Sequence, residues 1–517
     1  MTATATALPL RHAAMWALLA ALLAGAFALV TYPSIPPSSD LWDYSQEARQ
    51  LARGEGFTSL YTYPVHLGHD EPPFPVRWRM PLFAALGAML LWLGVPLPAG
   101  FFLIAIVAHA LLVGLVFLLT AHLHSEWAAS IAAAAAIASP LLLDPYSAGL
   151  SQAPAAALGV GVWLLLLRGR GVVSSLVAAV LAATVWYLRS ESLVMAPLWI
   201  WAAARHGRGK RGLAFVAAYA ALCIPWLFLY RAISGTAVPI QGNPMLLYTP
   251  EFPGYSSSRT YGETMPGVLE YLLRHPFTFV WRFVKDLLGY GVDLLWGLGP
   301  IAVGLGIAGL LLREAKERWE SLRPAMPLLI AAAVQILAFS CLERSPRFLV
   351  PAVPLVCVAL GIAAAPSLDR ICGRARVIAL LAILILERCV MLGFETREAA
   401  RRFPPLPPAF VTELRGELTA RGALNPEVGS GLVWTDSPDW VAWHLDRPAL
   451  LLPLWRQRER VTAEHPVDAI VLTREAESRN LADGEEEWVR TASRNEQIPG
   501  FAGPFLAGER GKVYIRE

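Results

Sequence analysis

The sequence predicts a mainly helical, polytopic membrane bundle of about eleven spans, with interfacial helices in its first outer loop and a small C-terminal α/β domain. Three observations carry this. The 517 residues are 56% hydrophobic and only 16% charged, where soluble domains carry about 25% charged residues. Apolar runs fill residues 12–394, whereas 395–517 reads as ordinary soluble sequence. Short basic clusters recur between the apolar runs and set an orientation.

A spanning helix needs about 20 apolar residues, and Lys and Arg collect in cytoplasmic loops. Arg168-Gly-Arg170, Arg205 to Arg211 and Arg313 to Arg323 are the anchors, with a weaker one from Arg370 to Arg376. They predict spans near 12–31, 100–121, 127–143, 155–167, 171–188, 191–204, 212–231, 292–312, 325–342, 348–365 and 376–394. The N-terminus is then cytoplasmic. Ala13–Val30 lacks a small-x-small cleavage pattern and reads as an uncleaved first helix. Residues 81–94 form about 21 Å of helix, short of a hydrocarbon core of about 30 Å, so they are expected to lie on the outer leaflet. The outer face receives loops 32–99, 144–154 and 232–290, and the C-terminal part. The organisation expected is a membrane domain over 1–394, a Pro-rich linker over 395–408 and an extracytoplasmic α/β domain over 409–517.

Composition excludes several classes. A net charge of +3 without a basic stripe argues against nucleic-acid binding. The five cysteines form neither a disulfide framework nor a CxxC pair. Arginine supplies nearly all positive charge and alanine is abundant, as in GC-rich bacterial genomes, so a bacterial cytoplasmic (inner) membrane is expected. Polar residues gather on one side. A transporter would place them near the midplane, with repeated halves, and no internal repeat is evident. His109 is the main polar group deep in a span, and a helix–helix hydrogen bond accounts for it.

The chemistry-bearing residues fall in the outer loops. Residues 40–53 space Leu41, Tyr44, Ala48, Leu51 and Ala52 as one face of a surface helix. Asp40 stands at its cap position after a Pro-Ser-Ser turn, followed by Asp43. A capped helix with a solvated acidic face fits the same residues. His66, His69, Asp70 and Glu71 suit a divalent metal, though their spacing matches no helical metal motif. Arg77 and Arg79 open the short helix after them. Arg189 and Glu191 flank a turn between apolar arms, and Arg347 opens a late span. Guanidinium groups at an outer surface suit a phosphate, whose oxygens they grip bidentately. Lipid anchoring explains each arginine equally well.

In the C-terminal part a helix is expected over 409–421 and another over 438–445. Strands are expected over 431–436, 449–453, 467–473 and 512–516. Asp436, Asp439 and His444 read as a helix start and a solvated face rather than as a site.

Four places together resemble the bacterial GT-C glycosyltransferases, the superfamily of the protein O-mannosyltransferases and the lipid A aminoarabinose transferase. They are Asp40, Tyr44, Leu51, Gly54, Gly56 and Phe57; Arg79-Met80-Pro81-Leu82; Arg189-Ser190-Glu191 with Pro197; and Arg347-Phe348-Leu349-Val350-Pro351 with Pro354. The resemblance covers about residues 12–394. It implies sugar transfer from a polyprenyl-phosphate donor to an acceptor glycan, lipid or protein at the outer face. Asp40 is then the carboxylate that activates the acceptor, directly or through a metal. Arg347, Arg79 and Arg189 hold the donor phosphate, and Asp43, Tyr44 and Glu191 support them. Many relatives carry an acid near the start of the span after the second outer loop. This chain has Gln152 there and Asp144 eight residues earlier, with Asp70 and Glu71 as further candidates for the second polar group. Phe348 stands where relatives have Tyr. A flippase for a lipid-linked saccharide and an inactive scaffold of the same fold are the alternatives.

Overall fold

The computed structural model describes residues 4–31, 39–68, 70–143, 149–169, 171–207, 209–234, 256–263, 266–342, 344–369, 374–402, 408–423, 431–473, 486–507 and 511–517. Helices dominate. Helix α1 (Thr4–Thr31) is followed by α2 (Ser39–Arg53), α3 (Pro81–Trp92), α4 (Ala99–Leu123) and α5 (Glu126–Ile137). The next are α6 (Gln152–Arg168), α7 (Val172–Leu188), α8 (Ala196–Gly207), α9 (Lys210–Ser234), α10 (Pro276–Leu298) and α11 (Pro300–Leu311). Then come α12 (Met326–Ser340), α13 (Val353–Asp369) and α14 (Arg374–Arg402).

Among the described residues, five helices are long and apolar enough to cross a membrane: Pro9–Thr31, Ala99–Leu123, Lys210–Ala232, Lys316–Ser340 and Ala375–Glu398. Helices α3, α5, α6, α7 and Val353–Ser367 are apolar but shorter. The protein is a multi-pass membrane protein. Alanine sets its tightest packing. All the alanines of α5 from Ala132 to Ala136 are buried, and α13 crosses that helix so closely that a side chain on Gly361 would strike the Ala128 carbonyl. Small residues at such crossings let backbones approach, which is how helices gain contact in lipid. His109 bonds the Ile137 carbonyl at 2.9 Å, tying α4 to α5.

The expected span 292–312 is not a single helix. The run 292–312 breaks at Gly299, and α10 and α11 meet at 96°. Gly299 has φ 86°, a conformation open mainly to glycine, and Pro300 cannot continue a helix because it lacks an N–H. The expected turn near Arg189 also differs. Residues Ser190–Met195 form a 3-10 helix before α8 begins.

The bend is held by two neighbouring residues of α14. Arg388 Nη1 donates to the carbonyls of Trp296 (3.1 Å) and Gly297 (2.9 Å) at the end of α10. Glu387 accepts from the Ile301 N–H at the start of α11 (3.1 Å). Each charge faces the helix end of opposite partial charge, and each satisfies backbone groups that a helix end leaves unpaired.

Beyond the bundle, α15 (Pro408–Ala420) and α16 (Pro438–Leu445) accompany a six-stranded sheet. Its strands are β1 (Tyr61–Thr62), β2 (Leu432–Thr435), β3 (Ala449–Leu451), β4 (Val467–Leu472), β5 (Phe501–Ala507) and β6 (Gly511–Arg516), in the order β1-β3-β2-β4-β6-β5. The first four are parallel, and β6 and β5 add antiparallel. Every residue of β2 and β3 is buried, as continuous apolar strands covered on both faces should be. The edge strand β1 comes from the connection between α2 and α3, with Tyr61 opposite Ala449. Strand β5 had no alternating signature in the sequence and was not expected.

Helix α2 sits between this sheet layer and the bundle. Arg49 donates to the carbonyls of Trp443 (2.9 Å) and Ala442 (2.8 Å) in the last turn of α16. Arg53 grips both carboxylate oxygens of Asp446 at 2.9 Å. Tyr44 and Ala48 pack on the other side against α3 and the bundle core. The expected solvated acidic face therefore does not exist: Asp43 is 2% exposed and Glu47 0%.

Candidate functional site

Asp40 lies in the first turn of α2, where the helix dipole favours a negative charge. Its carboxylate receives two guanidinium groups from distant parts of the chain. Arg79, just before α3, donates to Oδ1. Arg347, in the 3-10 turn Pro346–Leu349, donates to Oδ2 at 2.6 Å. Arg79 also bonds Asp43 through Nε at 2.7 Å and lies over the Tyr44 ring at 5.1 Å. Trp78 Nε1 donates to the same Asp43 carboxylate at 3.1 Å. Residues 40, 79 and 347 thus form one charged cluster. Burial favours the neutral acid, yet Arg79 and Arg347 outweigh it and hold Asp40 well below the usual carboxylate range.

A second strand of contacts reaches Arg189. The hydroxyls of Tyr44 and Ser151 are hydrogen-bonded at 3.1 Å. Arg189 Nη1 donates to Ser151 Oγ at 3.4 Å and pairs with Glu191. Gln152 begins α6 beside Ser151 and is 3% exposed, its Oε1 without a hydrogen-bond partner among the described residues.

Asp70 and Glu71 are the other acidic candidates that the structure describes. Asp70 pairs with Arg77 at 2.6 Å, and Arg77 also bonds the His66 carbonyl. Glu71 is exposed. Asp144 and His69 lie outside the described residues.

Three contributors were not expected: Trp78, Ser151 and Glu47. Glu47 was readable, because it follows Asp43 by four residues and so shares its helix face. Its carboxyl is buried beside Asp43. Burial first, and the Asp43 carboxylate second, push it well above the ordinary 4.5. Among the described residues neither carboxyl oxygen of Glu47 has a hydrogen-bond partner, so burial and the neighbouring Asp43 charge favour its protonated form. From pH 4.5 upward the unfolded chain gains by ionising this group and the folded chain does not, so stability falls as pH rises through that window. Glu47→Gln is expected to raise the melting temperature at about pH 8 and to leave it unchanged at about pH 4. An equal effect at both pH values would show that Glu47 is ionised in the fold.

A divalent metal needs several oxygen, nitrogen or sulfur donors converging on one point. Among the described residues no group of three or more His, Cys, Asp or Glu side chains is arranged to hold one. Asp40 and Asp43 already face guanidinium charge, which opposes a cation.

No protein-family model matches the chain, and no curated protein does. Solved structures do. The Archaeoglobus fulgidus oligosaccharyltransferase, crystallised with Zn and sulfate, is 15% identical over 96% of this chain and 72% of that one, with a TM-score of 0.59. ArnT from Cupriavidus metallidurans bound to undecaprenyl phosphate is 12% identical over 96% of this chain and 97% of that one, with a TM-score of 0.55. The archaeal oligosaccharyltransferase AglB from Archaeoglobus fulgidus, in complex with an inhibitory peptide and a dolichol-phosphate, is 14% identical over 98% and 74%, with a TM-score of 0.56. These are glycosyltransferases of one architecture, and identities this low speak for architecture alone: the chain has the GT-C fold.

Proposed function

We propose that the protein transfers a sugar from a polyprenyl-phosphate donor to an acceptor at the outer face of the bacterial cytoplasmic membrane. The single observation that carries this is the meeting of Asp40 with Arg347, 307 residues away, and with Arg79. In this reading the bundle has about eleven spans, several of them short and tilted. The N-terminus is cytoplasmic, and residues 409–517, joined through the linker 395–408, form the extracytoplasmic domain over the membrane domain 1–394.

The acceptor hydroxyl or amine attacks the anomeric carbon, and the bond from that carbon to the phosphate oxygen breaks. The acceptor proton goes to Asp40, and polyprenyl phosphate leaves. Arg347, Arg79 and Arg189 meet the charge growing on the leaving phosphate, the kind of fixed electrostatic stabilisation that contributes most to such steps. Asp43 fixes Arg79, and Tyr44 links α2 to Ser151. A cavity opens beside Arg189 and Gln335 and runs between Trp163, Trp199, Met195 and Leu355. Its apolar walls suit the first isoprenyl units.

A flippase would claim the 96° bend, since transporters use broken helices with charges near the midplane. Here Glu387 and Arg388 are engaged in capping the two helix ends. The purified protein should be incubated with a panel of radiolabelled polyprenyl-phosphate sugars and a bacterial membrane extract. Label should move into an acceptor fraction. Folded protein that transfers none of the panel, or that moves labelled lipid across a bilayer without a covalent product, overturns the reading.

A further inference from the structure

The two arginines on Asp40 are not held alike. Arg79 bonds two carboxylates, Asp40 and Asp43, and lies on the Tyr44 ring. Its side chain is 18% exposed. Arg347 enters from another element, bonds Asp40 through Nη1, and is 31% exposed. Both Asp40 oxygens are occupied in this arrangement, one by each guanidinium. A carboxylate so engaged keeps only one lone pair on each oxygen and has little basicity with which to take an acceptor's proton.

Resting on the function proposed above, we infer that the donor phosphate activates Asp40 by taking Arg347 from it. Arg347 serves two anions in turn, the Asp40 carboxylate before the donor binds and the phosphate after. Arg79 stays with Asp43. When Arg347 moves to the phosphate, Asp40 Oδ2 is released and one of the guanidinium charges that hold its proton affinity down is withdrawn. Deprotonation of the acceptor therefore waits for the donor. After transfer, the phosphate departs, Arg347 returns, and Asp40 gives its proton to solvent. The arrangement makes donor binding compulsory before acceptor activation and keeps the site inert toward acceptors alone.

The exchange has an unusual consequence for binding, because Asp40 competes with the donor for Arg347. Removing the competing carboxylate must tighten the complex. The test is the dissociation constant of undecaprenyl phosphate, measured on the full chain in lipid nanodiscs for the native protein, Asp40→Asn, Arg347→Gln and the double variant. Thermal unfolding of each reports folding, and Asp40→Ser stands in should Asn misfold. Asp40→Asn is expected to bind roughly tenfold tighter than the native chain, the scale of one charge-assisted bond. Arg347→Gln binds more weakly, and in its background the gain from Asp40→Asn is lost. Equal or weaker binding by Asp40→Asn overturns the exchange. So does the same gain with and without Arg347, which would reflect only the removal of a negative charge. If no form binds undecaprenyl phosphate, the donor assignment itself fails and the exchange falls with it.

Discussion

Asp40→Asn is expected to slow sugar transfer by about 10²- to 10⁴-fold, the range for loss of a positioned general base. The substitution is close to isosteric. The new amide keeps an oxygen for Arg79, and Asp43 still fixes that arginine through Nε. The helix keeps its docking on α16 through Arg49 and Arg53. What disappears is the capacity to take a proton. Single-turnover transfer in nanodiscs, read beside the unfolding temperature, separates the chemical loss from misfolding. The expected pattern is a large fall in kcat with a KM that does not rise, since the donor loses a competitor for Arg347. A folded variant that transfers at the native rate removes Asp40 from the chemistry.

The second large effect concerns folding. Arg388→Met is expected to cost about 3–5 kcal/mol, the scale for removing one partner of a buried ion pair. The Arg388 side chain is wholly buried, with Glu387 beside it at 3.7 Å. Methionine fills much of the same volume but caps neither the Trp296 nor the Gly297 carbonyl, and it leaves the Glu387 carboxylate uncompensated. Glu387→Gln combined with Arg388→Met should recover part of the loss. The glutamine amide oxygen still accepts from Ile301, and the uncompensated charge is gone. Denaturant or thermal unfolding in detergent measures both variants. If the single variant is as stable as the native chain, the bend is maintained by packing alone.

Different parts of the molecule were legible to different degrees. Arg79, Arg347 and Asp40 could be grouped only because their local patterns occur in a known order. Nothing in periodicity says that residues 307 apart will touch. The burial of α2 was not legible at all. Its spacing of apolar residues describes one covered face, and the second cover is α16, contributed by the far end of the chain. Trp78 and Ser151 enter for the same reason, as bonds between elements rather than within them. The break at Gly299-Pro300 was written locally and was missed because the apolar count continued through it. The short helices hid the number of spans in another way. Twelve residues of α5 make about 18 Å, and length alone does not decide whether such a helix crosses.

The edge strand Tyr61–Thr62 has a bearing on how the polypeptide can be divided. Because it pairs with Ala449–Leu451, the tail does not own its sheet. Expressed alone, residues 408–517 would leave Ala449–Leu451 as a naked border, a ready template for self-association. Deleting them would strip one flank from the helix that bears Asp40. Neither fragment is self-sufficient, and the two ends of the chain have to be made, and inherited, together.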